Sequence, residues 1–371
     1  MESAEVLIVG AGPAGAACAW ALRRAGVDVA MCDQARFPRE KVCAGWITPA
    51  VLAALEISSE DYGREHVLQP ITGFRIGLMG EASASEIRYQ ETVSYGIRRV
   101  EFDDYLLRRA GARLYTGEAV RSLRREAGSW QVDARFRAPM LVGAGGHTCP
   151  VARALGAHPG GEPAILAQEI EYLAPAGTLA RCGVRADRPE LYFCRDLAGY
   201  GWCIRKGDYL NIGLGREHVH GLSTQVDDFL DYLVRERGVP RPVGSMHGHA
   251  YLVRGQGRRS LLSEGALLVG DAAGLAYPRS GEGIRPAVES GLLAAGVIHA
   301  ARGDYRARNL EPYLERLQAR FGHGKSLAQD LPAVLRAFLA RGLFLHPGLL
   351  RRALLDHGFL HAHQPALAPW T

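Results

Sequence analysis

Two glycine-bearing segments, far apart in the chain, hold the residue types best suited to chemistry. The first is Gly10-Ala11-Gly12-Pro13-Ala14-Gly15. It follows the apolar run Val6-Leu7-Ile8-Val9 and opens an alanine-rich stretch, Ala14 to Arg24, of helical composition. Backbone N–H groups at such a helix start, with no Cβ in the way and the positive end of the helix dipole behind them, can hold a pyrophosphate. Asp33 closes the next apolar run, Val27 to Cys32, where a carboxylate accepts hydrogen bonds from a ribose and disfavours a 2′-phosphate. Strand, glycine turn, helix and acid together predict a dinucleotide site, without separating FAD from NAD. The second segment is Gly270-Asp271-Ala272-Ala273-Gly274, then Pro278, then Gly281-Glu282-Gly283-Ile284. It lies between the aliphatic run Ala266 to Val269 and a small-residue helical stretch, Gly283 to Ala301.

Both segments share a strand–turn–helix logic, so the two regions are expected in one α/β domain. Between them the chain turns β-like and polar from Gly73 to Ser94, then helical from Phe102 to Ala110, with a short strand near Leu114 after Gly111. From Gly156 to Arg254 it offers strand candidates at Ala164 to Tyr172, Leu191 to Cys194, Gly201 to Arg205 and Leu210 to Gly215. The expected organisation is a discontinuous Rossmann-like domain (1–72, 95–155 and 258–305), an inserted antiparallel β-sheet substrate domain (73–94 and 156–257) and a C-terminal helical region (306–371). Leu310, Tyr313, Leu314, Leu317 and Phe321 have the spacing of a helix packed on the body. Phe338 to Leu360 has two readings, a packed terminal helical pair or an interfacial surface that meets lipid.

Around Asp271 the chain resembles the flavoprotein superfamily of p-hydroxybenzoate hydroxylase, and within it the geranylgeranyl reductase-like branch. The resemblance implies FAD as cofactor, with Asp271 on the ribityl chain and Pro278 beside the isoalloxazine. The helix from Gly283 would aim its N-terminus at the flavin N1/O2 edge, where its positive end stabilises the anionic reduced ring. Cofactor contacts are further implied at Gln34, Val120, Gly270, Gly281 and Ile284, besides Gly10, Gly12, Pro13, Ala14, Gly15 and Asp33.

Arg99-Val100-Glu101-Phe102-Asp103 with Leu106 resembles an Arg-x-x-Phe-Asp-x-x-Leu element whose arginine contacts FAD; a salt-bridged surface arginine is the plainer reading. Glu40 to Gly45 resembles the Cys-Gly-Gly loop that passes over the flavin, with Ala44 in place of the first glycine. This makes Cys43 the candidate thiol near the ring, although free cysteines commonly serve as buried, inert hydrophobes. Tyr200-Gly201-Trp202-Cys203-Ile204-Arg205-Lys206 resembles a Tyr-x-Trp-x-Phe-Pro-Lys strand, with Arg205 where the branch has proline. Alternation puts Tyr200, Trp202 and Ile204 on one face, either as a flat apolar wall beside a substrate or as plain sheet core. Gly143-Ala144-Gly145-Gly146-His147 stands where the family has Gly-Ala-Asp-Gly. Gly145 therefore replaces an acid linked to FAD and NAD(P)H binding. His147 and Cys149 are placed to compensate chemically, or His147 is a solvated turn residue.

Composition excludes several classes. The chain has 371 residues and a formal charge of +5; of its 44 cationic side chains, all but Lys41, Lys206 and Lys325 are scattered arginines, so no nucleic-acid stripe forms. Seven cysteines without a CxxC pair predict neither a metal site nor a disulfide framework. The start lacks a signal-peptide pattern, and no apolar run reaches the roughly 18 residues of a membrane span. A cytoplasmic protein is expected, with peripheral membrane contact through the C-terminal helices as an extension.

The function expected from the resemblance is an FAD-dependent reductase that saturates carbon–carbon double bonds of a prenyl or other apolar lipid-like substrate. Hydride from flavin N5 would reach one carbon and a proton from Cys43, Tyr200 or Glu282 the other, beside Trp202. Glu282 reads equally well as a carboxylate stabilising a helix N-terminus. NAD(P)H or an electron-donor protein is the expected reductant. An FAD monooxygenase acting on an apolar or aromatic substrate is the alternative, and a non-enzymatic flavin-binding redox partner is a third reading.

Overall fold

Val6–Val9 is buried on both faces, which is why it is an uninterrupted aliphatic run rather than an alternating one. The computed structural model describes residues 1–81, 83–157, 164–217, 221–253, 259–322, 344 and 346–368. In it, Val6–Val9 lies inside a six-stranded sheet. Its parallel neighbours are Val29–Asp33 and Met140–Gly143. Arg113–Thr116 and Ala266–Leu268 extend the sheet in parallel on either side, and Leu262–Ser263 forms an antiparallel edge.

Helices Pro13–Arg24 and Ile284–Ala300 pack against each other on this sheet. Small residues make that approach feasible: a Cβ at Gly291 would run into the Ala14 backbone and lie 3.1 Å from the Cys18 amide nitrogen. This contact brings the two glycine segments together. It also accounts for the alanine-rich composition of both helices, because side chains larger than alanine would hold the helix axes apart.

A second sheet has seven strands in the order His247–Leu252, Ala164–Leu173, Tyr209–Arg216, Gly199–Lys206, Glu190–Phe193, Gly73–Leu78, Ala84–Arg88. It departs from the expected antiparallel sheet at one pair, since Gly73–Leu78 runs parallel to Glu190–Phe193. More than a hundred residues separate the two strands, most of them in other elements, so the chain returns long after leaving and no tight hairpin imposes antiparallel pairing. Trp46–Ile47, Ser94–Ile97 and Leu68–Ile71 form a separate three-stranded sheet.

Period-two alternation divides the core of the large sheet. Cys203, Leu210 and Ile212 face the amphipathic helix Leu222–Arg237. Leu191, Phe193, Trp202 and Ile204 face the other way, where Leu350, Leu355, Phe359 and Leu360 cover them. Leu350, Leu355 and Phe359 belong to a π-helix, Leu350–Phe359, that follows a short helical turn, Pro347–Leu349, and Leu360 comes directly after it. Positions 338–343 and 345 of that segment, and the expected domain boundary at 257–258, lie outside the described residues. Among the described residues no helix is long and apolar enough to cross a membrane.

Candidate functional site

A cavity of about 820 Å³ runs from the turn after Val6–Val9 to the aromatic face of the seven-stranded sheet. At its glycine end Gly10 has φ +109°, and a Cβ there would collide with the Ala144 backbone. Gly12 differs. Its φ is −73°, and the only atom near the position of its missing Cβ is Arg39 Nη2 at 3.5 Å. Gly12 also caps the helix Pro13–Arg24 with no side chain bonded to the first turn, leaving its N–H groups available to an anion. Arg39 Nη1 is buried beside this turn without a partner, while Nη2 is 3.2 Å from Asp103. An open helix start and a guanidinium with one nitrogen, Nη1, left without a partner fit the pyrophosphate of FAD.

Asp33 organises this turn. Its Oδ2 accepts from the Ala11 N–H at 2.7 Å and its Oδ1 from Ala35 at 2.8 Å, and each oxygen keeps a further lone pair for a ribose. Pro13, Ala14, Gln34 and Val120 line the same end. From the second segment, Asp271, Gly281, Glu282, Gly283 and Ile284 reach the cavity, and the helix Ile284–Ala300 starts there behind Gly283, which offers no side chain as a cap. Burial raises the Asp271 pKa, opposed by Lys41 and Arg99.

Three expected cofactor residues are not on the cavity wall. Gly15 and Gly270 are packing glycines: a Cβ would strike the Gly10 carbonyl in one case and lie 2.9 Å from Ala14 Cβ in the other. Pro278 is turned away because Tyr277 N–H donates to the Glu282 carbonyl at 3.0 Å and Gly281 N–H to the Tyr277 carbonyl at 2.9 Å. That closed turn presents residues 280–283 to the cavity instead.

Arg99 is neither a surface ion pair nor a free ligand. It is buried and gripped by both oxygens of Asp103, at 2.7 and 2.8 Å. Burial alone would lower its pKa, but Asp103 and the Cys43 thiol outweigh that and raise it. Cys43 and Ala44 both line the cavity. The Cys43 thiol accepts weakly from the Gly45 N–H at 3.4 Å. Its carbonyl accepts from Asn211 Nδ2 at 3.2 Å, and Asn211 Oδ1 accepts from Trp202 Nε1 at 2.7 Å. The thiol loop is thereby tied to the sheet that carries Tyr200 and Trp202.

At Gly145, a Cβ would press to 3.2 Å on Cys149 Cα, so the glycine goes with the tight packing of Cys149. Cys149 is fully buried, its thiol pKa raised by that burial, while His147 reaches the cavity.

Arg39, Lys41 and His249 are absent from the expected set. Lys41 Nζ lies 2.9 Å from His249 Nε2, across 208 residues of sequence. Burial and the neighbouring Arg99 push Lys41 down to about 8, and burial with Lys41 pushes His249 down to about 3. The imidazole is therefore neutral near pH 7. Arg39 and Lys41 sit beside the loop already singled out, whereas nothing in the sequence marks a histidine on a distant edge strand.

At the apolar end Tyr200 and Trp202 lie with ring centroids 6.0 Å apart. The Tyr200 hydroxyl donates to the Ser280 carbonyl, and burial raises its pKa well above the usual value. Its proton is thus already engaged.

Glu282 is the reverse case. Both carboxylate oxygens are buried with no side-chain partner, and burial pushes its pKa up to about 8, opposed by the charge and backbone N–H of Arg285 and added to by Glu289. The folded protein thus holds a Glu282 proton that the unfolded chain releases above about pH 4.3. This contribution to stability falls as pH rises from about 4 to about 8 and levels off beyond. Urea titrations of FAD-free protein across that range are expected to show a downward slope that is shallower in Glu282→Gln.

Residues 3–182 match the family model described as an FAD binding domain. The chain is 30% identical over 365 residues to a menaquinone reductase of Mycobacterium tuberculosis, covering 90% of this chain and 84% of the relative. It is 26% identical to a digeranylgeranylglycerophospholipid reductase of Methanocaldococcus jannaschii, over 84% of this chain and 81% of that protein. A geranylgeranyl bacteriochlorophyll reductase-like protein of Thermoplasma acidophilum has a similar crystal structure, with a TM-score of 0.79, 20% identity and 98% of each chain covered.

Proposed function

The chain belongs to the geranylgeranyl reductase-like branch of the FAD-dependent oxidoreductases, and from that membership we propose that it saturates carbon–carbon double bonds of a prenyl or other apolar lipid-like substrate. FAD, when bound, supplies the hydride. Gly12, the helix start at Pro13 and Arg39 hold its pyrophosphate, Asp33 its ribose, and Asp271 with the start of Ile284–Ala300 the flavin end.

The observation that carries this reading is Glu282, a buried carboxyl with no side-chain partner, its pKa pushed up to about 8 by burial, on the wall of a largely apolar cavity. An isolated alkene needs a proton at one carbon as hydride reaches the other, and a buried carboxylic acid near pKa 8 can give one. Tyr200 is less suited, since its hydroxyl proton is engaged with the Ser280 carbonyl. Tyr200, Trp202 and Trp46 exclude water and orient the chain by contact. The names of the relatives, reductases of prenyl-bearing lipids, support the same substrate class. NAD(P)H or an electron-donor protein restores the reduced cofactor.

The test is anaerobic single turnover. Holoprotein reduced with dithionite is mixed with a prenyl substrate in the absence of O₂. Return of the oxidised-flavin spectrum together with a saturated product is expected. Reoxidation only when O₂ is admitted, with an oxygenated product, would overturn the reading in favour of a monooxygenase.

A further inference from the structure

We infer that Phe359, carried in by the C-terminal segment, closes the apolar end of the cavity and sets the length of hydrocarbon chain the site accepts; this rests on the apolar-substrate reading above. Phe359 lines the cavity, is 3% exposed, and stands 5.6 Å from the Trp46 ring and 5.4 Å from Tyr200, centroid to centroid. Leu350, Leu355 and Leu360 share its core cluster against the seven-stranded sheet, so the ring is held by aliphatic packing as well as by its aromatic neighbours.

The backbone around it is fixed from three directions. Tyr89 donates to Asp356 at 2.7 Å on one side of Phe359. On the other, the wholly buried Arg285 donates to the carbonyls of Gln364 at 2.8 Å and Pro365 at 3.2 Å. Arg320 adds a bond to the Pro365 carbonyl at 2.7 Å. Arg285 belongs to the same helix whose N-terminus opens on the cavity, so the segment is anchored to the cofactor-binding body while its aromatic ring closes the substrate side.

Space makes the position decisive. A cavity of about 820 Å³ is the size of a single-ligand pocket, and FAD, when bound, would take the part between Gly10 and Asp271. The room left for a substrate lies toward the aromatic end, on whose wall Phe359 stands. A longer chain meets Phe359 end-on.

Wild type, Phe359→Ala and Phe359→Leu are compared as yellow holoproteins by titration with geraniol, farnesol and geranylgeraniol, each one isoprene unit longer than the last. Binding is read from the perturbation of the visible flavin absorbance. In wild type, affinity is expected to level off or fall along the series. In Phe359→Ala it keeps rising, with geranylgeraniol gaining about tenfold or more over wild type while geraniol changes little. Phe359→Leu, which keeps the core filled, gives an intermediate shift and serves if the alanine variant loses FAD. The same dependence on chain length in all the proteins, or a uniform loss of affinity across the series, overturns the length gauge and leaves the apolar-substrate reading standing. No prenol binding to any of the yellow proteins overturns both.

Discussion

Glu282→Gln is expected to slow double-bond saturation by about 10²–10⁴-fold, the range over which a positioned general acid acts. Two controls belong with this number. FAD affinity and the rate at which the flavin is reduced should stay near wild type, because the substitution keeps the shape of the side chain and removes only the transferable proton. The pH profile should change as well. In wild type the acid must be protonated, so turnover falls as pH rises through about 8, the value to which burial brings Glu282. The glutamine variant loses that limb. A variant that retains full activity, or a wild-type profile that is flat through this range, would remove Glu282 from the chemistry and leave it the role of a carboxyl beside a helix start.

Gly12→Ala and Gly10→Ala are expected to fail in different ways, and the contrast is the strongest test of the cofactor site. Gly12 has ordinary backbone geometry and only Arg39 nearby, so an alanine fits the FAD-free protein and its urea midpoint should hardly move. The added methyl group nevertheless occupies the cradle. Losing one or two hydrogen bonds to a charged group, about 1.5–3 kcal/mol each, weakens FAD binding by about 100-fold, measured by flavin fluorescence quenching on apoprotein. Gly10 has φ +109° and its missing Cβ points into Ala144, so alanine there costs stability first, on the order of 1–3 kcal/mol from backbone strain before any clash. Equal loss of FAD in both variants with equal loss of stability would mean the turn is only a packing feature.

The strand runs at residues 6, 29 and 266 and the helices after residues 12 and 283 were legible because their signals are local; the strand Met140–Gly143, which pairs between two of them, was not singled out. A strand buried on both faces must be aliphatic, and a helix whose first turn meets a phosphate must begin with small residues. The alternation of Tyr200, Trp202 and Ile204 was legible for the same reason. Gly15 and Gly270 were less so: a glycine that lets two backbones approach and a glycine that faces a ligand have the same letter, and only the position of the neighbouring chain separates them. Pro278 is not among the cavity-lining residues, because the turn around it is closed by backbone bonds that carry no side-chain signature.

His249 and Phe359 had no signal at all. The first meets Lys41 across 208 residues, and the second reaches the cavity from the far end of the chain. Period and composition describe what a residue's neighbours in sequence require of it. They specify one phosphate-binding turn, a second strand–turn–helix segment, an apolar strand face and a dinucleotide as the class of cofactor. Which thiol, carboxyl or aromatic ring finally stands in the cavity depends on how separate elements dock. The decisive quantity, the burial that leaves Glu282 protonated and closes the wall with Phe359, exists only once water has been excluded by residues remote in the chain.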